Sequence, residues 1–357
     1  MSADLDMTTG KPAFARLTGT ASAWHGLGQT FDHNATLEEL LTAGCVDFEI
    51  KKVPNFHYFN GELIQANDYS LLRSDNGHKF TNCSSRYQPV QPATIVGFMH
   101  GLASKYDLKI DTIGALDKGE RVWCLAQLGE SFTLAGGDRV DGYALITTSN
   151  DGTMATRVMF TTVRVVCNNT LTMALAGEKK NHISVSHATS FDPDQVEIDL
   201  GLVHSSFAAM QAKAEKLSRT KMDKDLALKL LIDLFEEKGA DANKISTRNM
   251  NIIQGVYNKF SGSGIGATLP SAQGTAWGLL NAITEYTDHD YGRNENNRFK
   301  QAQFGQTAQL KEKALAYILE VTVDGEEIGH WEEVEQEPVE TRPAPSLLDS
   351  LIANTQA

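Results

Sequence analysis

Two Asn-Gly pairs, Asn60-Gly61 and Asn76-Gly77, each lie between short runs in which apolar and polar residues alternate. No other feature limits the possible folds as much, because Asn-Gly supplies the positive φ angles of a tight hairpin turn and alternation supplies a strand with one apolar face. The first pair separates Phe56-His57-Tyr58-Phe59 from Glu62-Leu63-Ile64, and the second separates Tyr69-Ser70-Leu71-Leu72 from a strand-like stretch reaching Cys83. The spacing then predicts a helix over 92–105, with Ile95, Phe98, Met99 and Leu102 on one face. Strands resume from Leu108 to Ile113, turn at Asp117-Lys118-Gly119, and run again from Val122 to Leu128. A further hairpin joins Tyr143-Ala144-Leu145-Ile146-Thr147 to Ala155 through Arg164 across Ser149-Asn150-Asp151-Gly152.

At Val196 the period changes. Leu200, Val203, Phe207, Met210, Ala214 and Leu217 follow at alternating steps of four and three, the seam of a helix that packs in a bundle or against a second copy of itself. Further helices are expected from Asp223 to Lys238, from Lys244 to Phe260, from Ser271 onward with Trp277, Leu280, Ile283 and Tyr286 on one face, and from Thr307 to Glu320. Sheet first and helices afterwards indicates an α+β fold, a mainly antiparallel hairpin-rich sheet with one or two helices followed by a helical region. The expected organisation is a flexible N-terminus over 1–20, a sheet domain over 21–190, a helical region over 191–322 and a disordered acidic tail over 323–357. From Asp324 onward there are nine acidic residues and one basic residue, so the tail carries −8 of the chain's −13. Near its end Leu347, Leu348, Leu351 and Ile352 form an amphipathic patch suited to a protein partner.

The chain has 357 residues, with 32 Lys and Arg against 45 Asp and Glu, a balance that excludes a basic duplex-coating protein. No apolar run is long enough for a membrane span, and the first residues lack the apolar stretch of a secretory signal. A cytoplasmic protein without membrane contact is expected. Cys45, Cys83, Cys124 and Cys167 are widely scattered with no C-x-x-C pair, which suits buried thiols in a reducing compartment and supplies no metal site.

Catalytic signatures are missing from the sequence and no cofactor or metal is expected, while an enzyme with an unrecognised site stays open as a third alternative. Ser263-Gly264-Ile265-Gly266 has phosphate-loop glycines but follows a helix and lacks the Lys-Ser or Lys-Thr of such loops. His25, His182, His187, Asp288 and His289 are the groups to examine for acid-base chemistry, although no activated serine or cysteine accompanies them. Positive charge gathers in two places, at Lys213, Lys216, Arg219 and Lys221 and at Arg293, Arg298 and Lys300. A third candidate groups Arg157, Arg164, Asn168, Asn169, Thr170, Lys179 and Lys180 along a strand and its exit, and Arg86-Tyr87 adds a cation beside an aromatic ring.

Thr161-Thr162-Val163-Arg164-Val165-Val166-Cys167-Asn168-Asn169-Thr170-Leu171 resembles the signature of a phage and plasmid family catalogued as domain of unknown function 932. The resemblance extends to Ala23-Trp24-His25-Gly26-Leu27-Gly28, Arg86-Tyr87-Gln88-Pro89-Val90, Ser149-Asn150-Asp151-Gly152, the segment from Gly274 to Tyr286, and Leu310-Lys311-Glu312-Lys313-Ala314. Asn150 departs from the pattern, which has histidine before Asp-Gly, and that counts against a catalytic turn. Membership implies a mobile-element setting. In outline, hairpins around a helix followed by helices and a tail are similar to phage single-strand annealing proteins. The expectation is therefore a homo-oligomer that binds or anneals single-stranded DNA in recombination or replication. The competing expectation is a non-enzymatic factor that engages a host protein through the acidic tail and C-terminal helices.

Overall fold

The computed structural model describes residues 5–19, 28–164, 169–172, 183–196, 204–236, 245–291, 305–324 and 340–341. Over these residues the chain folds as α+β. Strands β1 (Phe14–Leu17) and β2 (Gln29–Phe31) and helix α1 (Leu37–Ala43) precede a three-stranded antiparallel sheet of β3 (Ile50–Phe59), β4 (Glu62–Arg73) and β5 (Lys79–Cys83). Helix α2 (Pro92–Tyr106) follows, then β6 (Lys109–Leu116), β7 (Arg121–Leu134), β8 (Asp138–Ser149), β9 (Thr156–Arg164), β10 (Asn169–Thr172) and β11 (Ile183–Val185). The helices α3 (His204–Arg219), α4 (Lys224–Phe235), α5 (Thr247–Asn258), α6 (Ala276–Glu285) and α7 (Gln306–Leu319) complete the body, and β12 (Glu340–Thr341) belongs to the acidic tail. The main sheet runs β10-β9-β8-β7-β6-β1-β2, with β11 also beside β9 and β12 beside β7. Its pairs are antiparallel apart from β1 with β2.

The turn chemistry read from sequence is present in the backbone. Asn60 and Gly61 at the tip of β3–β4 both have positive φ, 50° and 87°. Before β7 the chain reverses through Asp117, Lys118 and Gly119, all left-handed, and a Cβ on Gly119 would lie 2.7 Å from the Phe48 ring, so only glycine fits. Side-chain caps start the helices: Thr36 and Glu39 form a capping box on α1, and Asp223, Ser246 and Thr275 accept from backbone amides at the starts of α4, α5 and α6.

One face of the main sheet carries Ile113, Val122, Cys124, Ala126, Ile146 and Val158 into a core shared with α2 and the C-terminal helices. The opposite face carries a smaller cluster of Phe14, Leu116, Trp123, Leu145 and Met159. Of the heptad seam, Met210, Ala214 and Leu217 are buried in the shared core and Phe207 packs on Phe132 at 5.6 Å, so these residues serve intramolecular packing; Leu200 and Val203 lie outside the described residues. Residues 1–20, read from sequence as a flexible end, contain β1, whose Phe14 and Ala15 are buried. Cys45 and Cys124 are buried free thiols and Cys83 is half-buried, while Cys167 lies outside the described residues.

Two buried polar nodes fix the layers. Asp138 at the start of β8 accepts from Ser271 Oγ at 2.6 Å and from Trp277 Nε1 at 3.0 Å, tying the sheet to α6. Arg73 at the end of β4 donates to Asp6, to Asp75 at 2.8 Å and to the Lys118 carbonyl at 2.8 Å, with its guanidinium 3.8 Å from the centre of the Phe48 ring. Its side chain is fully buried, and these partners replace the lost hydration of Nε and Nη1, while Nη2 has no hydrogen-bond partner.

Candidate anion-binding cleft

The β8–β9 turn is built around Asp151. Ser149 Oγ, the Thr153 amide (3.0 Å) and Thr153 Oγ1 (2.7 Å) all donate to its Oδ1, and Gly152 takes the left-handed conformation that closes the turn. Asn150 points inward and donates its side-chain amide to the Gly119 carbonyl at 2.7 Å, locking this turn to the one before β7. Burial alone would raise the Asp151 pKa. The hydrogen bonds from Ser149 and Thr153, with the charge of Arg121, outweigh it and hold the carboxyl below its ordinary value.

Sheet register brings two arginines to this turn. Arg121, the first residue of β7, pairs with Ser149, and Arg157 near the start of β9 pairs with Thr147. Ser149 and Thr147 are two residues apart on β8, so both arginines project from the same face of the sheet on either side of that strand. Arg121 Nη2 donates to Thr153 Oγ1 at 2.8 Å and stands 3.8 Å from Asp151 Oδ2. The Nε atoms of Arg121 and Arg157 are both buried and have no hydrogen-bond partner. Burial, then repulsion from Arg121, pulls the Arg157 pKa below its ordinary value, opposed by Glu312 on α7. Two guanidiniums that repel each other and keep buried donors unfilled form a site whose charge and hydrogen bonds an anion would complete.

An aromatic pair lies near the same turn. Tyr87 and His187 stack with ring centroids 4.8 Å apart and planes 15° from parallel. His187 is held by its ring Nε2 against the Met154 carbonyl at 3.2 Å, and its own carbonyl accepts from the Gln88 amide at 2.6 Å. Burial holds the imidazole pKa below its ordinary value, against the backbone hydrogen bonds, so the ring is neutral near pH 7. With Nε2 donating to a carbonyl, Nδ1 is a buried acceptor without a partner. Tyr87 is half-buried, and its hydroxyl pKa is raised first by burial and then by Cys83 and Asp151. Lys52 on β3 braces the same loop, donating to the carbonyls of Ser85 at 2.7 Å and Tyr87 at 3.0 Å.

Of the residues singled out in the sequence, Tyr87 lies within electrostatic reach of Asp151 and Arg157 within that of Arg121, and Arg86 is exposed on the Tyr87 loop. The backbones of Asn169 and Thr170 pair with Arg164 and Val163, higher on β9. Lys216, Arg219 and Lys221 are exposed near the end of α3 and Lys213 is half-buried there, where positive charge complements the helix dipole. Asn168, Lys179, Lys180, Arg293, Arg298, Lys300, His25, His182 and the tail residues Leu347, Leu348, Leu351 and Ile352 lie outside the described residues. Asp288 is committed to a buried ion pair with Lys311 at 2.7 Å. In the glycine-rich connector the Ile265 amide already donates to Glu285 at 2.9 Å. Among the described residues no group of three or more metal-ligating side chains converges, and no helix is long and apolar enough to cross a membrane.

Arg121 went unrecognised in the sequence. Pairing the predicted strand from Val122 with the one ending at Thr147 would have placed its charge beside the Ser149 turn, but only with the strand extended by one residue and the register known.

The model of the family described as Domain of unknown function (DUF932) matches residues 79–315. The chain belongs to the DUF932 family. The matched region contains Tyr87, Arg121, the Asp151 turn, Arg157 and His187, while the β3–β4 hairpin precedes it. No curated protein and no solved structure matches the chain.

Proposed function

We infer that this DUF932 protein binds single-stranded DNA as a homo-oligomer and serves strand annealing in the recombination or replication of a mobile element. The observation carrying this reading is the Arg121–Arg157 pair, two same-face guanidiniums with buried, unpartnered Nε donors beside a wall of stacked rings. Phosphodiester oxygens are acceptor-only anions with the geometry such donors fit. Paired cations and an aromatic ring near one turn suit an unpaired backbone with accessible bases more than a duplex. The acidic total does not oppose this, since −8 of −13 belongs to the tail and the body before it is near neutral for its size. The mobile-element setting rests on the sequence resemblance, and annealing on the likeness of outline.

The test is fluorescence anisotropy with a labelled oligo-dT across a salt series, using the full chain. Binding is expected to be saturable at low salt. Arg121→Gln with Arg157→Gln removes two phosphate contacts and lowers the slope of log affinity against log salt by about 1.4, at roughly 0.7 per phosphate on single strands. Absence of saturable binding at low salt, or a double variant with the wild-type slope, would overturn the reading.

A further inference from the structure

The distal half of the β3–β4 hairpin has no packing partner among the described residues. All ten residues from Phe56 to Gln65 are exposed, yet five of them are large and apolar: Phe56 (51%), Tyr58 (75%), Phe59 (60%), Leu63 (66%) and Ile64 (39%). Register sorts them by face. Phe56 pairs with Gln65 and Tyr58 with Leu63, giving one face of three apolar side chains and an uncharged amide. His57 with Ile64 and Phe59 with Glu62 make the other, which carries the hairpin tip's only carboxylate.

We propose that the Phe56–Tyr58–Leu63 face is a self-association surface, through which the hairpins of two copies of this chain pack face to face about a two-fold axis. Area and charge choose this occupant. Taking about 200 Å² for a large side chain, the three on this face expose roughly 400 Å², within the range of the largest patch a monomer leaves uncovered. That is about half of the ~800 Å² each partner contributes to a standard interface, which suits a weak, concentration-dependent pairing. Nucleic acid fits poorly, because no Lys or Arg lies between Lys52 and Arg73 while Glu62 and Asp68 do. The chain's own acidic tail fits poorly for the same sign of charge, and its described strand β12 pairs with Phe132 and Thr133 of β7. A second copy of the same face meets it without burying any charge, and an isologous contact requires no other surface. The proposal stands independently of the cleft, since no arm residue from Phe56 to Gln65 contributes to it.

Sedimentation equilibrium of the full chain across a wide concentration range tests this. The wild type is expected to self-associate. Phe56→Ser, Tyr58→Ser and Leu63→Ser together are expected to raise the dimer dissociation constant by about 100-fold or more, near tenfold per large apolar side chain. Phe59→Ser, on the opposite face, is expected to change it by less than about threefold. These positions are exposed, so the fold is retained, as circular dichroism verifies. A monomer at every concentration, a triple variant with wild-type association, or a Phe59→Ser effect equal to that of a Tyr58→Ser variant each overturns the proposal. Oligo-dT affinity measured on the triple variant at low salt separates the two readings. Unchanged affinity per subunit is expected, whereas lost affinity with intact association would make the arm a base-stacking surface and overturn self-association.

Discussion

Replacing Arg157 by methionine should strengthen the ligand-free protein while weakening its grip on an oligonucleotide. A residue that only supports the fold does neither. In the empty cleft the Arg157 Nε is buried without a partner, and Arg121 repels the guanidinium. A buried donor left unmade costs about 1–3 kcal/mol, and the attraction of Glu312 returns part of that. Methionine keeps most of the apolar stem and removes the donor and the repulsion, so a net gain of about 1 kcal/mol in unfolding free energy is expected. For a chain of this size that is about 1–2 °C in melting temperature. With oligo-dT at about 100 times its dissociation constant, the wild type gains roughly 2.7 kcal/mol from binding. A variant bound about tenfold more weakly gains about 1.4 kcal/mol less. The order of stability should therefore reverse on adding oligonucleotide, a crossing readable in urea titrations with and without dT. Destabilisation by more than about 1 kcal/mol in the empty state, with the same increment from oligonucleotide as the wild type, would show Arg157 to be a strut for Glu312 and refute the argument.

The remaining predictions concern two of the carboxylates that the main sheet buries. Glu130 on β7 is buried with neither oxygen hydrogen-bonded, and burial pushes its pKa up to about 7. The folded state therefore holds its proton more tightly than the unfolded chain. This contribution to stability is full below the ordinary value of 4.5 and is lost as pH rises through about 7. Denaturation midpoints of Glu130→Gln against pH should lack that decline and exceed the wild type at pH 8; parallel curves would remove Glu130 as the cause. Asp138→Ala leaves Ser271 Oγ and Trp277 Nε1 without their shared acceptor and should cost about 3 kcal/mol in urea unfolding followed by tryptophan fluorescence. A loss below about 1 kcal/mol would mean that the node is not what joins the sheet to α6.

The hairpins were legible because their signals are local. Asn60-Gly61, Asn76-Gly77 and Ser149–Gly152 each specify a reversal within a few residues, and β3, β4, β8 and β9 flank them as read. Strands β1 and β2 were not legible: four and three residues are too short to show a period, and their places are set by β6, nearly a hundred residues on. The cleft divides the same way. Arg157 and Tyr87 stood out as residues of the right chemistry, but the pairing of Arg121 with Ser149 depends on β7 beginning at Arg121, and the Tyr87–His187 stack joins positions a hundred residues apart. The helical seam gave its period correctly without saying what it faces, and Phe132 and the shared core turn out to occupy it.

The Arg73 node has a mechanical consequence. The guanidinium that roots the hairpin arm also grips the Lys118 carbonyl, and Lys118 is three residues before Arg121. The arm is thus a lever whose fulcrum is bolted to the strand that carries one jaw of the cleft. Asp6 clamps the same bolt from the N-terminal side, so the lever is mounted on buried charge in a setting that leaves little slack. A torque applied at the tip has a stiff path to the Arg121 end of β7.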